Sequence, residues 1–161
     1  MPNPVPFAIR PYLKADLARL HEIDQICFPP KIAYSLTELR FYLSGRRAIG
    51  LVAEISSRIA GFAVGRTEKD GLAHVITLDV MPEARRKGIG RALMEELHRE
   101  FDRGGATYVF LEVSVNNLGA RRFYERLGYR FAELLPGYYG DGTDACLMIR
   151  PAAGAPEVVE R

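Results

Sequence analysis

The sequence predicts a mixed α/β protein: a central sheet with helices on both faces, and not a strictly alternating doubly wound fold. Three observations carry this. Short apolar runs with strand character alternate irregularly with segments whose apolar residues return every three or four positions. Two strand-like runs, Ala48 to Glu54 and Ile59 to Arg66, follow each other across only I-S-S-R, the mark of a hairpin. A later run, Tyr108 to Val113, is so continuously apolar that both of its faces are expected to be covered.

Phe7 to Arg10 reads as a first short strand, stopped by Pro11. Leu13, Leu17, Leu20, Ile23 and Cys27 mark one helix face, and Pro29-Pro30 ends that helix. Ser35, with Glu38 three residues on, forms a capping box that opens a second helix running to Gly45. After the hairpin, the turn K-D-G leads into a third strand, Ala73 to Val80. Ile89, Leu93, Leu97 and Phe101 keep a four-residue spacing, so a helix starts near Gly88-Gly90 and stops before Gly104-Gly105. The Tyr108 strand follows, then a helix over Asn117 to Leu127 with Gly128 as its stop. Two last strands, Tyr129 to Leu134 and Asp144 to Ile149, flank the loop P-G-Y-Y-G-D-G-T.

A chain of 161 residues suffices for one domain with its own core, expected over residues 1–150, with 151–161 as a flexible tail. A net charge of +2 is too small for general polyanion binding, so no nucleic-acid partner is expected. Cys27 and Cys146 show no metal-ligand or redox spacing, and no metal site is expected. The N-terminal M-P-N-P-V-P-F lacks the apolar core of a signal peptide, and no run is long and apolar enough for a membrane span. The expected location is the cytoplasm, as a monomer or homodimer.

The stretch V-M-P-E-A-R-R-K-G-I-G-R places Arg85, Arg86, Lys87 and Arg91 around Gly88 and Gly90, just where a strand gives way to a helix. A solvated basic turn, a nucleic-acid patch and a phosphate cradle all fit so short a run. It is not a P-loop, because no G-x-x-x-x-G-K-[ST] can be written through it. It is also a poor dinucleotide fingerprint: Leu93 stands where a third glycine belongs, and Asp79 in the preceding strand would repel a pyrophosphate if it faced one. What remains is R-x-x-G-x-G, in which backbone N–H groups from 86 to 91 can converge on a diphosphate.

Glu112 is out of place beside Phe110, Leu111 and Val113, because burying an unpaired carboxylate is costly. It reads either as a strand-end glutamate that reaches solvent or an arginine, or as a general base with an environment-raised pKa. Tyr124 lies on the helix face of Ala120, Phe123 and Leu127, so it reads as a core tyrosine or as a proton donor.

L-D-V-M-P-E-A-R-R-K-G-I-G-R-A-L resembles the acetyl-CoA-binding motif of the GNAT superfamily of N-acetyltransferases. L-E-V-S-V-N-N-L-G-A-R-R-F-Y-E-R-L-G-Y is similar to the corresponding segment of the ribosomal-protein-alanine N-acetyltransferase branch, which acts on protein N-termini. The resemblance covers most of residues 7–150, is densest across 78–129 and is thin before 50. It implies a mostly antiparallel twisted sheet of six to seven strands, splayed between strands 4 and 5. It implies acetyl-CoA as cofactor, with Leu78, Asp79 and Val80 at the strand edge that pairs with pantetheine. The turn of Arg85, Arg86, Lys87, Gly88, Ile89, Gly90 and Arg91 would take the diphosphate, and Asn117, which could also cap its helix, would take the pantetheine arm. Glu112 is implied as general base and Tyr124 as general acid, with the amine attacking directly and neither cysteine acting as nucleophile.

Phe28-Pro29 resembles an F-P pair in that branch, but without the tryptophan that often follows it. Tyr34 and the Tyr138-Tyr139 pair are further candidates for lining the acceptor site, and each can equally pack its own loop. The acceptor implied is the α-amine of a protein or peptide. A lysine side chain or a small-molecule amine is the alternative, and a CoA-sensing module without catalysis is a third reading.

Overall fold

The computed structural model describes residues 6–156. Seven strands and four α-helices are found among them: β1 (Ala8–Pro11), α1 (Leu17–Cys27), α2 (Leu36–Tyr42), β2 (Ala48–Ile55), β3 (Arg58–Thr67), β4 (Leu72–Val80), α3 (Ile89–Arg103), β5 (Tyr108–Ser114), α4 (Leu118–Arg126), β6 (Arg130–Leu135) and β7 (Ala145–Pro151). The sheet order is β1-β2-β3-β4-β5-β7-β6. β1 pairs with β2, β2 with β3, and β7 with both β5 and β6, all antiparallel. β4 and β5 are parallel over Leu72↔Tyr108, Ala73↔Val109 and His74↔Phe110.

The chain forms two compact units. One holds residues 6–66 together with Val75–Glu100. Its core is Leu20, Ile23 and Leu39 from α1 and α2 packed on Val52, Phe62 and Val64 of β2 and β3. The Ser35 capping box forms as its spacing predicts, with Glu38 N donating to Ser35 Oγ at 3.1 Å and Ser35 N donating to Glu38 Oε1 at 3.1 Å. The I-S-S-R hairpin turns through Ser56 (φ 49°) and Ser57 (φ 65°), the left-handed pair that a two-residue turn of this hand requires. Arg10 ties β1 to its surroundings, donating to both carboxylate oxygens of Asp16 and, at 2.7 Å, to Glu54 Oε1.

The other unit holds Thr67–His74 and residues 101–156. β5 buries Val109, Leu111 and Val113, while Tyr108, Phe110, Glu112 and Ser114 alternate with them, half-buried. Gly128 (φ 94°) ends α4: Tyr129 N donates to Tyr124 O and Gly128 N to Glu125 O, both at 3.0 Å.

Four expectations are corrected. Leu13 is not on the face of α1; it is exposed ahead of a 3₁₀ turn, because Asp16 Oδ2 accepts from its N–H and delays the α-helix to Leu17. The second helix ends at Tyr42, short of Gly45. The Glu112 face of β5 is only partly covered. Backbone order also extends past 150: Pro151 pairs with Tyr108, Ala152 N donates to Thr107 O at 2.8 Å, and Ala153 N donates to Asp102 Oδ1 at 3.0 Å. The end of the expected tail, residues 157–161, lies outside the described residues.

Candidate active site

Strand alternation puts Phe110 and Glu112 on the same face of β5, and parallel pairing sets His74 of β4 beside Phe110. The His74 and Phe110 rings stack, 4.2 Å apart with 13° between planes. From there His74 Nε2 reaches Glu112 Oε2 at 2.6 Å. The two side chains are 18% and 14% exposed, so the pair is largely sheltered yet still open to water on one side. Glu112 therefore has a side-chain partner, and it is His74. His74 carries no signal in the sequence: a lone histidine in a strand, 38 residues from Glu112, becomes informative only through the β4–β5 register.

Tyr139 belongs to the same surroundings. Burial, and after it the nearby Tyr138, Glu112, Cys146 and Asp141, hold its hydroxyl proton far above the ordinary tyrosine range. Tyr138 is exposed, with its ring edge-on to Tyr139 at 5.0 Å. The loop is shaped by its own bonds: Gly137 N donates to Asp144 Oδ1 at 2.8 Å and Thr143 N to Asp141 Oδ1 at 2.9 Å.

Tyr124 is half-buried in the last turn of α4, with its ring edge-on to Phe123 at 5.2 Å and to Tyr129 at 5.7 Å. Asn117 caps α4, its Oδ1 accepting from Ala120 N at 3.1 Å, so the side-chain oxygen is used within the helix start.

In the other unit, the glycine-rich turn joins β4 to α3. Arg86 (φ 63°) and Gly88 (φ 85°) are both left-handed, and a Cβ at Gly88 would meet open space. Among the described residues no backbone carbonyl accepts from the N–H groups of residues 86–91; the first bond into the helix is Ala92 N to Gly88 O at 3.0 Å. A run of unpaired donors with exposed Arg86 and Lys87 beside it can hold an anion.

Two cations of the motif are already engaged. Arg85 turns back, donating from Nε to Val80 O at 3.0 Å and from Nη2 toward Cys27 Sγ at 3.8 Å. Arg91 pairs with Glu95 at 2.8 Å across one helix turn. The Ile89 side chain is core, leaving only its backbone to a ligand.

At the end of β4, Leu78 and Val80 are half-buried, whereas the Asp79 side chain is buried, its Oδ1 accepting from Thr77 Oγ1 at 2.6 Å. The feared repulsion from Asp79 is thus removed to the interior. Burial, and then Asp24, hold its carboxyl well above the usual range. Cys27 Sγ donates to Val80 O at 3.4 Å, and burial pushes its thiol up, away from nucleophilic use.

Of the acceptor candidates, Phe28 is half-buried and Pro29 exposed. Tyr34 packs against the α1–α2 core, its ring 5.2 Å from Tyr42 and its hydroxyl donating to Ile76 O at 3.4 Å. No group of three or more His, Cys, Asp and Glu side chains among the described residues is placed to hold a metal, and no described helix is long and apolar enough to cross a membrane.

Residues 17–129 match the acetyltransferase (GNAT) family, and the chain belongs to that family. It is 40% identical over 154 residues, 94% of this chain and 97% of the relative, to an uncharacterised N-acetyltransferase of Methanocaldococcus jannaschii. It is 30% identical over 162 residues, 90% of this chain and 93% of the relative, to an N-alpha-acetyltransferase of Saccharolobus solfataricus. The fold superposes on the crystal structure of the ribosomal-protein-S18-alanine N-acetyltransferase from Escherichia coli with a TM-score of 0.83, 28% identity, and coverage of 97% of this chain and 100% of that one. The protein is an N-acetyltransferase of the mixed α/β GNAT fold that uses acetyl-CoA.

Proposed function

We propose that the chain acetylates the α-amino group of a protein or peptide N-terminus, with Glu112 as general base and Tyr124 as general acid. The observation that carries this reading is the His74–Glu112 pair: a carboxylate fixed at 2.6 Å by an imidazole, half-sheltered on a strand face and next to the Tyr138-Tyr139 loop. The likeness to the Saccharolobus N-alpha-acetyltransferase and the Escherichia coli ribosomal-protein-S18-alanine N-acetyltransferase supports that acceptor class.

The residues present fit acetyl-CoA. The N–H groups of 86–91, with Arg86 and Lys87, would take its diphosphate. The backbone of Leu78, Asp79 and Val80 and the Asn117 amide would take its pantetheine arm. Because the Asp79 side chain is buried, only its backbone serves. Bound there, acetyl-CoA supplies a thioester carbonyl for the amine and a thiolate to leave.

An α-amine with a pKa of about 8 is mostly protonated at neutral pH and cannot attack. Glu112 takes that proton, directly or through one water, as its half-open position permits. His74, donating from Nε2, holds the carboxylate in place. The Tyr124 hydroxyl gives a proton to the departing sulfur. Phe28, Pro29, Tyr34, Tyr138 and Tyr139 would line the acceptor side, with Tyr34 contributing from a core-packed position. The cytoplasm is the proposed location.

The test is acetyl-CoA turnover with peptides beginning Ala, Ser or Met, N-blocked lysine peptides, polyamines and aminoglycosides, with mass spectrometry locating the label. Acetyl on the peptide α-amine is expected. Acetyl found only on lysine or a small amine overturns the α-amine assignment.

A further inference from the structure

Asp24 of α1 and Asp79 of β4 are the most deeply buried carboxyl groups described, 0% and 1% exposed. Half of each is satisfied. Asp24 Oδ2 accepts from Tyr34 N at 2.7 Å, and Asp79 Oδ1 accepts from Thr77 Oγ1 at 2.6 Å. The other two oxygens, Asp24 Oδ1 and Asp79 Oδ2, are buried and have no donor. Yet the two side chains stand within hydrogen-bond reach of each other. Two bare carboxylates cannot bond, and in a buried site they repel; one proton between them satisfies both orphan oxygens at once.

We propose that Asp24 and Asp79 share a single proton, carried on Asp79 and donated to Asp24, and that Asp24 is thereby a positioning residue that fixes the 28–35 loop against the end of β4. The loop is held to α1 by two bonds at one residue: Tyr34 N donates to Asp24 Oδ2, and Gln25 Nε2 donates to Tyr34 O at 2.7 Å. The groups facing the pair are few. They are the Thr77 hydroxyl from β4, the Cys27 thiol from α1, the Arg85 guanidinium from the turn after β4 and the Tyr34 amide from the loop. Burial and Asp24 favour the protonated form of Asp79, while Thr77 and Arg85 oppose it more weakly. That the fixed loop serves the acceptor rests on the function proposed above; the shared proton does not.

Asp24→Asn preserves the arrangement, because its amide oxygen can still accept from Tyr34 N and its NH₂ can donate to Asp79. Asp24→Ala removes both bonds. Three readouts apply to the full chain. In wild type, carboxyl-carbon NMR with labelled aspartate should show one aspartic acid still protonated well above pH 4, the ordinary carboxylate range being about 3.9. Amide exchange at Tyr34 should be about tenfold faster in Asp24→Ala and within about threefold of wild type in Asp24→Asn. The acceptor KM should rise about fivefold or more in Asp24→Ala with kcat within about twofold, and return to the wild-type value in Asp24→Asn. If Asp24→Ala does not fold, the wild-type titration still decides the shared proton.

Every aspartate titrating in the ordinary range overturns the shared proton. Unchanged Tyr34 exchange or acceptor KM in a folded Asp24→Ala overturns the positioning role. Failure of every amine to accept acetyl would strike the proposed function alone, leaving the titration and the exchange rates to decide the pair.

Discussion

His74 Nε2 and Glu112 Oε2 lie 2.6 Å apart on neighbouring parallel strands, and the contact exists because His74 stacks on Phe110, two residues before Glu112. A carboxylate held this way keeps one rotamer. Replacing His74 with alanine should therefore lower kcat by about tenfold to a hundredfold, the worth of one hydrogen bond to a charged group, with the KM for acetyl-CoA unchanged. Steady-state kinetics with both substrates varied would check this; an unaltered kcat would remove His74 from the account.

The turn before α3 should answer to charge and to backbone separately. Gly90→Asp places a carboxylate among the unpaired N–H groups and should raise the KM for acetyl-CoA by about tenfold or more, since an anion there competes with a diphosphate. Gly88→Ala meets no atom within 4 Å, so its cost is the left-handed φ of 85° alone, about 1 kcal/mol of stability. Cofactor titration and thermal melting distinguish the two effects.

Acid stability should depend on Arg10. Its hydrogen bonds hold the Asp16 carboxyl below the usual range, outweighing the opposing effect of burial. A depressed native pKa adds stability that is present above the unfolded value of about 3.9 and is lost as pH falls through the native one. Denaturant melts of Arg10→Met should show lower stability at pH 7 and a flatter decline below pH 4 than wild type. Parallel declines would contradict the assignment.

The I-S-S-R hairpin should be improvable. Ser56 and Ser57 both sit at positive φ, where Asn and Gly are better tolerated. The double change Ser56→Asn, Ser57→Gly should raise Tm by about 2–4 °C, equivalent to roughly 1 kcal/mol. Activity should not change, and differential scanning calorimetry with a parallel assay would show both.

The elements were legible where local chemistry decides them: the Ser35–Glu38 box, the Asn117 cap with its Gly128 stop, and the four-residue stripe of α3 all occur where the spacing puts them. Glu112 was legible because a carboxylate among apolar strand residues asks for a reason. Its partner was not, since the contact needs a register that no local pattern encodes. The same holds for Asp24 and Asp79, which meet only when α1 packs beside β4. Arg85 stands among the ligand cations of its motif in sequence, but its Nε bond to Val80 O depends on a turn of the backbone that no local pattern encodes. Leu13 keeps the helical spacing yet lies outside the helix, its backbone N–H donating to the Asp16 side chain.

The general-base role of Glu112 is decided by the pH dependence of kcat for wild type and Glu112→Gln, with an Ala-initiated peptide and saturating acetyl-CoA. If Glu112 takes the amine proton, the variant should be slower by about a hundredfold or more at pH 7, with acetyl-CoA binding unchanged. The deficit should narrow toward pH 9 to 10, where an amine of pKa about 8 is already deprotonated. A Glu112→Gln enzyme with the wild-type rate and profile at every pH would contradict the account.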